Sequence, residues 1–594
     1  MTTNAWITTS IGAERLRAAQ EEATRRRLGS ALGIPMKPGL ADDDLRFVVG
    51  ALELRVAMLL DHDDGDELRA AAAHAFQLAR TLLPDSSAHG GAAEILRVAC
   101  LGVLGDRGGD VHRILAHVQL PAPAPAENWG LRVEHAIQDI WLRLLRKQGW
   151  DDLDSVQSAV ARLRDRQHDG EAAFLAEAER NRDVRPAWEL MCQYHLAKAA
   201  EILGAYLTQG SVDDRFDVRQ QIEAQFDRAI ATAAKGQLME HEMRARLLAR
   251  TAHTLIDNSI WTVTRAVNSR VTKFVQSVVA RKEPLLEMLP PQRRTLREEG
   301  LLGSGHRAVV VSLPTSSGKT LIAEFRMLQA LNQFDRERGW VAYLAPTRAL
   351  VNQLVVRLRR DFAPLDVVVE KVSPALEIDG IEANMLEDRN RQFRVLVTTP
   401  EKLDLMLRGG WEKEIGRPLT LVVVDEAHNL AVGARGLHLE LLLATMNREC
   451  RFAQFLLLTP FIPNAARIAQ WLSPDNNKAV DLAIDWSPND RVIAIAEPVK
   501  GSRRGDFCIQ LVTQHTTRHT LGIPDELKFA DHRPLNLTWS DVSGSSGKLA
   551  AATAQVLRQR GTVIVLVDTP RNSWSVANAL KVEENRRLDP TEQP

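Results

Sequence analysis

Cysteine is scarce: the chain has four in 594 residues, Cys100, Cys192, Cys450 and Cys508. No two stand at zinc-ligand spacing, and so few excludes a disulfide framework. Net charge is also nearly absent, with 75 Lys and Arg against 76 Asp and Glu. That balance excludes a bulk polycation that coats nucleic acid or anionic membrane. Any nucleic-acid contact must then come from a local groove. No apolar run approaches the roughly 18–20 residues that span a bilayer. The first residues, Met1 to Trp6, lack the charged and apolar regions of a secretory signal. A cytoplasmic protein without a membrane partner is expected. A composition of 45% hydrophobic and 25% charged residues excludes collagen-like, coiled-coil-only and mostly disordered chains.

What is present falls into two textures. Up to about residue 280 the chain is rich in Ala, Leu, Arg and Glu. Val133, Ile137, Ile140, Trp141 and Leu144 recur at helical spacing, one apolar stripe. Pro121-Ala-Pro-Ala-Pro-Ala126 cannot be helix interior and divides this half in two. The expected domains are a helical part over 1–120 and a helical accessory part over 127–280. The paired helices after Trp188 are similar to a tetratricopeptide hairpin, but no clear period marks a repeat array. A plain bundle or irregular solenoid is the broader expectation.

From about 285 short runs of Val, Leu and Ile alternate with helical stretches. They are Ala308–Leu313, Trp340–Ala345, Asp366–Val372, Val395–Thr399, Thr420–Asp425 and Gln454–Thr459. Most are continuously apolar, as strands buried on both faces of a parallel sheet require. The alternation predicts a doubly wound α/β domain over 285–490, with ligands at the carboxyl ends of its strands. A connection is expected over 491–555. Thr562 to Asp568 reads as a fresh buried strand, opening a further α/β domain over 556–594.

Chemistry concentrates in two motifs. Pro314-Thr315-Ser316-Ser317-Gly318-Lys319-Thr320 stands between a strand and a helix. Gly318 allows close backbone approach to phosphates, Lys319 can reach the β- and γ-phosphates, and Thr320 can ligate Mg2+. The usual first glycine of such a loop is Leu313 here. The second motif is a buried strand ending in Asp425-Glu426-Ala427-His428. One carboxylate can hold the Mg2+ shell and the other can orient a water. Both motifs predict bound ATP and Mg2+.

Together these residues make the chain similar to the first RecA-like motor domain of a superfamily 2 DEAD/DEAH-box helicase, nearest the Ski2-like branch. The resemblance extends over roughly 285–594 and gives further residues a role. It implies that Gln292, in Leu289-Pro-Pro-Gln292, reads adenine. It implies that Pro346, Thr347 and Arg348, with Thr399 and Pro400, grip the backbone of one strand. Contacts of that kind hold phosphates without reading bases. It implies that Glu426, Asp425 and Lys319 carry catalysis, with Thr315, Ser316, Ser317, Gly318 and Thr320 around the nucleotide. His428 and Thr459 would couple nucleotide state to strand movement. A large helical part before such a core also resembles helicase subunits of anti-phage defence systems such as Hachiman.

Two departures qualify the resemblance. The coupling motif Ser-Ala-Thr is replaced by Thr459-Pro460-Phe461, and Pro460 lacks a backbone donor. The run from Thr562 resembles only the start of a second motor domain, so an incomplete form of the motor is expected. Two functions follow from this. One is an ATP-dependent helicase or translocase on nucleic acid, DNA ahead of RNA. The other is a nucleotide-binding interaction protein without motor activity, its helical half docking a protein partner. The loop-like Ser543 to Leu549 lacks Ser or Thr after Lys548 and a buried strand before it; a flexible linker is expected there.

Overall fold

A computed structural model describes residues 2–32, 39–62, 65–83, 91–118, 128–180, 182–212, 217–264, 268–302, 305–314, 316–371, 393–408, 415–460, 462–481, 492–516, 526–528, 537–558 and 561–587. The chain forms two compact units. One comprises 1–107 and 489–594, the other 108–488.

The first unit begins with five helices: α1 (Thr3–Ser10), α2 (Ala13–Leu32), α3 (Asp42–Leu59), α4 (Gly65–Ala79) and α5 (Ala92–Leu104). Leu45, Val48, Leu52 and Val56 recur at helical spacing and bury one side of α3.

The second unit continues with α6 (Gly108–Ala116), α7 (Trp129–Arg146), α8 (Gly149–Arg180), α9 (Arg185–Gln209), α10 (Val218–Lys235) and α11 (Met239–Asn258). Asn128 caps α7 by accepting from the Leu131 N–H at 2.9 Å. The five stripe residues of α7 are all fully buried. The short α12 (Ile260–Val263) leads into α13 (Ser269–Val279). The sequence texture changes at 285, yet helices and sheet share this unit because α13 packs against the α/β core. Phe274 of α13 meets Phe325 and Phe362 edge-on, with centroids 5.4 and 6.0 Å apart.

After α14 (Pro290–Arg293) come β1 (Ala308–Ser312), α15 (Lys319–Gln333), β2 (Trp340–Leu344), α16 (Arg348–Phe362), β3 (Val369–Lys371) and β4 (Val395–Thr398). They are followed by α17 (Pro400–Arg408), β5 (Leu419–Val424), α18 (Gly433–Glu449), β6 (Gln454–Thr459), α19 (Ala465–Leu472) and β7 (Asn477–Asp481). The sheet is parallel throughout, in the order β3-β4-β2-β5-β6-β1-β7. Every residue of β1, β2, β4, β5 and β6 is buried, as their continuous apolar runs require. This is a RecA-like doubly wound fold behind a helical region. The edge strand β7, with its Asn-Lys start, carries no apolar run and is not visible in the sequence pattern.

The chain then returns to the first unit. Residues 491–555, expected as a connection, contain an antiparallel sheet of β8 (Val492–Lys500), β9 (Phe507–Thr516) and β10 (Glu526–Lys528). Two helices follow, α20 (Trp539–Ser543) and α21 (Ser546–Leu557). Phe507 and Ile509 form a small core with Val542, Ala552 and Val556. The mixed polarity of the stretch reflects β8, where residues 493–498 alternate between exposed and half-buried. The loop-like Ser543 to Leu549 is a helix start rather than a flexible linker. Ser545 caps α21, and the Lys548 ammonium pairs with Asp541 at 2.7 Å. The run from Thr562 has no ladder partner among the described residues. Ile564 and Leu566 are 80% and 90% exposed, so this is not a buried strand here. A helix, α22 (Pro570–Arg587), follows it.

Candidate nucleotide and nucleic-acid site

The register of the parallel sheet brings five strand ends to one edge. Leu344 pairs with Thr398 on one side and Val424 on the other; Val424 pairs with Leu457, and Ser312 with Thr459. Each motif picked out in the sequence leaves the sheet along this row.

Beyond β1, Ser316 and Gly318 both take the left-handed conformation, with φ of 63° and 75°. Left-handed residues in such a loop turn successive N–H groups inward and form an anion-binding concavity. Helix α15 starts directly at Lys319 and adds the positive end of its dipole. Among the described residues the Ser317 hydroxyl is buried without a hydrogen-bond partner, as is that of Ser312. Buried hydroxyls need partners, and phosphate oxygens would provide them. These residues fit a nucleotide. Thr320 is half-buried in the first turn of α15, and Thr315 lies outside the described residues.

Gln292 lies beside this loop. Its Oε1 accepts from the Leu289 N–H at 2.9 Å, and its Nε2 donates to the Gly318 carbonyl at 3.3 Å. The residue expected at adenine is thus tied to the phosphate loop itself.

Beyond β5, the Asp425 Oδ1 accepts from the Glu426 N–H at 2.9 Å, and its Oδ2 accepts from the Tyr343 hydroxyl at 3.1 Å. Burial, with Asp425 close by, holds the Tyr343 phenol protonated well above its ordinary range. Glu426 adopts a left-handed φ of 51° and starts the turn Ala427–Ala431. The His428 Nδ1 stands 3.3 Å from its carboxylate, and the Asn429 amide donates to its carbonyl at 2.8 Å. Burial pulls the Lys319 ammonium below its usual range, and the facing charges of Glu426 and Asp425 oppose that shift. The two sequence motifs therefore sense each other electrostatically. Asp425 and Thr320 each offer the oxygen ligand that Mg2+ prefers.

Thr459 ends β6, between β1 and β5, and is fully buried. Its carbonyl accepts from the Leu313 N–H at 2.9 Å, where the phosphate loop begins. Pro460 follows it, and Phe461 lies outside the described residues.

The remaining motifs leave the neighbouring strands β2 and β4. Thr347 caps α16 by accepting from the Leu350 N–H at 3.3 Å. Thr347 and Arg348 are exposed. Pro400 opens α17, and the Thr399 carbonyl accepts from the Leu403 N–H at 3.1 Å. The Thr398 hydroxyl is buried without a partner among the described residues. Tyr343 and Asn429 do not stand out in the sequence. The only signal for Tyr343 is a lone hydroxyl in an otherwise apolar strand.

Fold and site define a P-loop nucleotide-binding lobe of the RecA-like class. Residues 290–467 match the DEAD/DEAH box helicase family, and the likeness to superfamily 2 helicases of the Ski2-like branch lies in this part of the chain. Hachiman protein HamB of Bacillus cereus is 28% identical over 251 residues, 41% of this chain and 21% of that protein. The ATP-dependent DNA helicase Hel308 of Methanocella arvoryzae is 26% identical over 309 residues, 52% of this chain and 35% of that one. Hel308 of Thermococcus kodakarensis is 31% identical over 212 residues, 35% of this chain and 16% of that one. The chain thus spans well under half the length of these curated relatives. The solved DUF1998 helicase MrfA aligns at 21% identity over 36% of this chain and 33% of that one, with a TM-score of 0.28. Among the described residues no helix is long and apolar enough to cross a membrane.

Proposed function

We propose that this chain is an ATP-dependent helicase or translocase subunit that binds nucleotide at β1 and β5 and a nucleic-acid strand at β2 and β4. The observation that carries the reading is the alignment of Lys319, Asp425 and Glu426 along one sheet edge, with Thr459 between them. Ser316, Ser317 and Gly318 cradle the phosphates, Lys319 neutralises them, and Gln292 meets adenine. Thr320 and Asp425 would hold Mg2+, which supplies charge neutralisation on the phosphates when bound. Glu426 orients the attacking water and accepts its proton, while His428 and Thr459 relay the nucleotide state. Pro346 to Arg348 and Thr399 to Pro400 hold the strand by its backbone. DNA is the favoured strand, because the Hel308 relatives are named as DNA helicases. In this reading the chain forms one wall of the ATP cleft, and a second motor lobe supplies the arginines of the other. The helical half docks a protein partner, for which the exposed Phe47, Leu54 and Met58 of α3 offer an apolar stripe.

The experiment is ATP turnover with and without single-stranded DNA or RNA, in wild type and Lys319→Ala. Strand-stimulated turnover that Lys319→Ala abolishes supports the reading, and full activity in the variant overturns it. A second reading, nucleotide binding without motor action, is favoured by Pro460, which removes a backbone donor next to Thr459. Tight ATP binding with no strand-dependent turnover, even when a second lobe is supplied, would select it.

A further inference from the structure

Asp425 is held from three directions. Its N–H donates to the Leu344 carbonyl at 2.9 Å, so β2 grips its backbone. Its Oδ1 accepts from the adjacent Glu426 N–H at 2.9 Å. Its Oδ2 accepts from the Tyr343 hydroxyl at 3.1 Å, again from β2. The first two contacts use backbone groups that any sequence would provide. The third depends on one side chain.

That side chain is costly to place. Tyr343 lies in a strand buried along its whole length, where the neighbours are Trp340, Val341, Ala342 and Leu344. Phenylalanine would fill the same volume without bringing a hydroxyl into an apolar sheet, where a hydroxyl left unbonded is destabilising. The hydroxyl is satisfied by Asp425. A carboxylate with one fixed oxygen still rotates about its terminal bond at low cost, because that torsion is broad. With both oxygens engaged by fixed donors, the plane of the carboxylate is set before any ligand arrives.

We propose that Tyr343 is a positioning residue that pre-orients the Asp425 carboxylate for Mg2+, an inference that rests on the reading of Asp425 as a metal ligand. Partners behind a ligating carboxylate fix its direction, and losing one typically lowers metal affinity about 10–100-fold. The same strand continues into Pro346 to Arg348, so the element that aims the metal-facing carboxylate also carries the proposed strand grip.

The test is Mg2+-dependent binding of a fluorescent ADP analogue to the full 594-residue chain. It compares wild type, Tyr343→Phe and Asp425→Asn, with thermal melting of each protein alongside. The expected result for Tyr343→Phe is a rise of about ten-fold in the Mg2+ concentration for half-maximal nucleotide binding. Binding measured with excess chelator should stay unchanged. If Asp425→Asn shifts the Mg2+ dependence and Tyr343→Phe does not, the inference is overturned and the metal reading stands. The inference is equally overturned if Tyr343→Phe only lowers the melting temperature, since a purely structural hydroxyl would do that. If neither variant shifts the Mg2+ dependence, the metal reading of Asp425 fails and takes the inference with it.

Discussion

The Gln292 side-chain amide donates to the main-chain carbonyl of Gly318 at 3.3 Å, and glycine is what lets it do so. A Cβ at 318 would stand 2.1 Å from the Gln292 Nε2, and the backbone there has φ +75°. Gly318→Ala therefore meets a left-handed strain of about 1–3 kcal/mol and a displaced glutamine. Nucleotide affinity should fall more than ten-fold. Gln292→Ala should weaken binding less and reduce the preference for ATP over GTP. The double variant should be less destabilised than the sum of the two, because removing the amide removes the clash. Urea titration of all four proteins, with nucleotide binding alongside, checks this. Strict additivity would count against a direct contact.

Gly436 makes a comparable contact near the turn that carries Glu426 and Asn429. A Cβ there would lie 2.4 Å from the Leu430 carbonyl oxygen and 2.7 Å from that of Asn429. Both are backbone atoms of the turn that follows Glu426. Helix propensity alone would make Gly436→Ala stabilising by about 1 kcal/mol. We expect the opposite, a loss of about 1–3 kcal/mol from overpacking, with reduced turnover because Asn429 and the Glu426 carbonyl shift together. A variant more stable than wild type by thermal melting would refute the contact.

Much of the parallel-sheet domain is legible in the sequence, and for a physical reason. A strand buried on both faces must be apolar throughout, so β1, β2, β4, β5 and β6 stood out within a residue of their bounds. Phosphate chemistry needs particular residue types at fixed spacing, so residues from Ser316 to Thr320 stood out too. Other parts carried weaker signals. The edge strand β7 and strand β8 carry few fully buried residues, and their mixed polarity reads as loop. The apolar run from Thr562 gave the reverse error, since β-propensity reports fitness for a sheet and cannot name a partner strand. The hydrogen bond from Tyr343 to Asp425 joins residues 82 apart in the chain, and only the parallel register brings them together.

Arg348 should report on the proposed strand grip. It is exposed at the first position of α16, where a side chain from the strand-end motif can meet a phosphate. Losing one phosphate contact lowers the slope of log affinity against log salt by about 0.7 for a single strand. Arg348→Ala should show that change, with an equal loss across strands of different sequence. Fluorescence anisotropy from low to physiological salt measures it. A loss confined to one base composition would mean that Arg348 reads bases.

Glu324 carries the last prediction. It lies on α15, essentially fully buried, with its carboxylate 2.9 Å from the Arg357 guanidinium of α16. Burial pushes its pKa up to about 7, and the nearby Asp361 carboxylate adds to the rise, while Arg357 and Arg281 oppose it. The native state thus binds this proton more tightly than the unfolded chain. The resulting stabilisation is full below the ordinary carboxylate pKa of about 4.3, and is lost as pH rises through about 7. A shift of this size corresponds to ~3 kcal/mol between the two limits. Glu324→Gln keeps the hydrogen-bonding shape of the protonated acid and cannot titrate. The stability of wild type minus variant should therefore fall steadily between about pH 4.5 and 7, with no further slope below that window. Chemical denaturation of both proteins across this range measures the difference. A difference that rises with pH would mean that Glu324 is held as the carboxylate by Arg357, and that the ion pair prevails over burial.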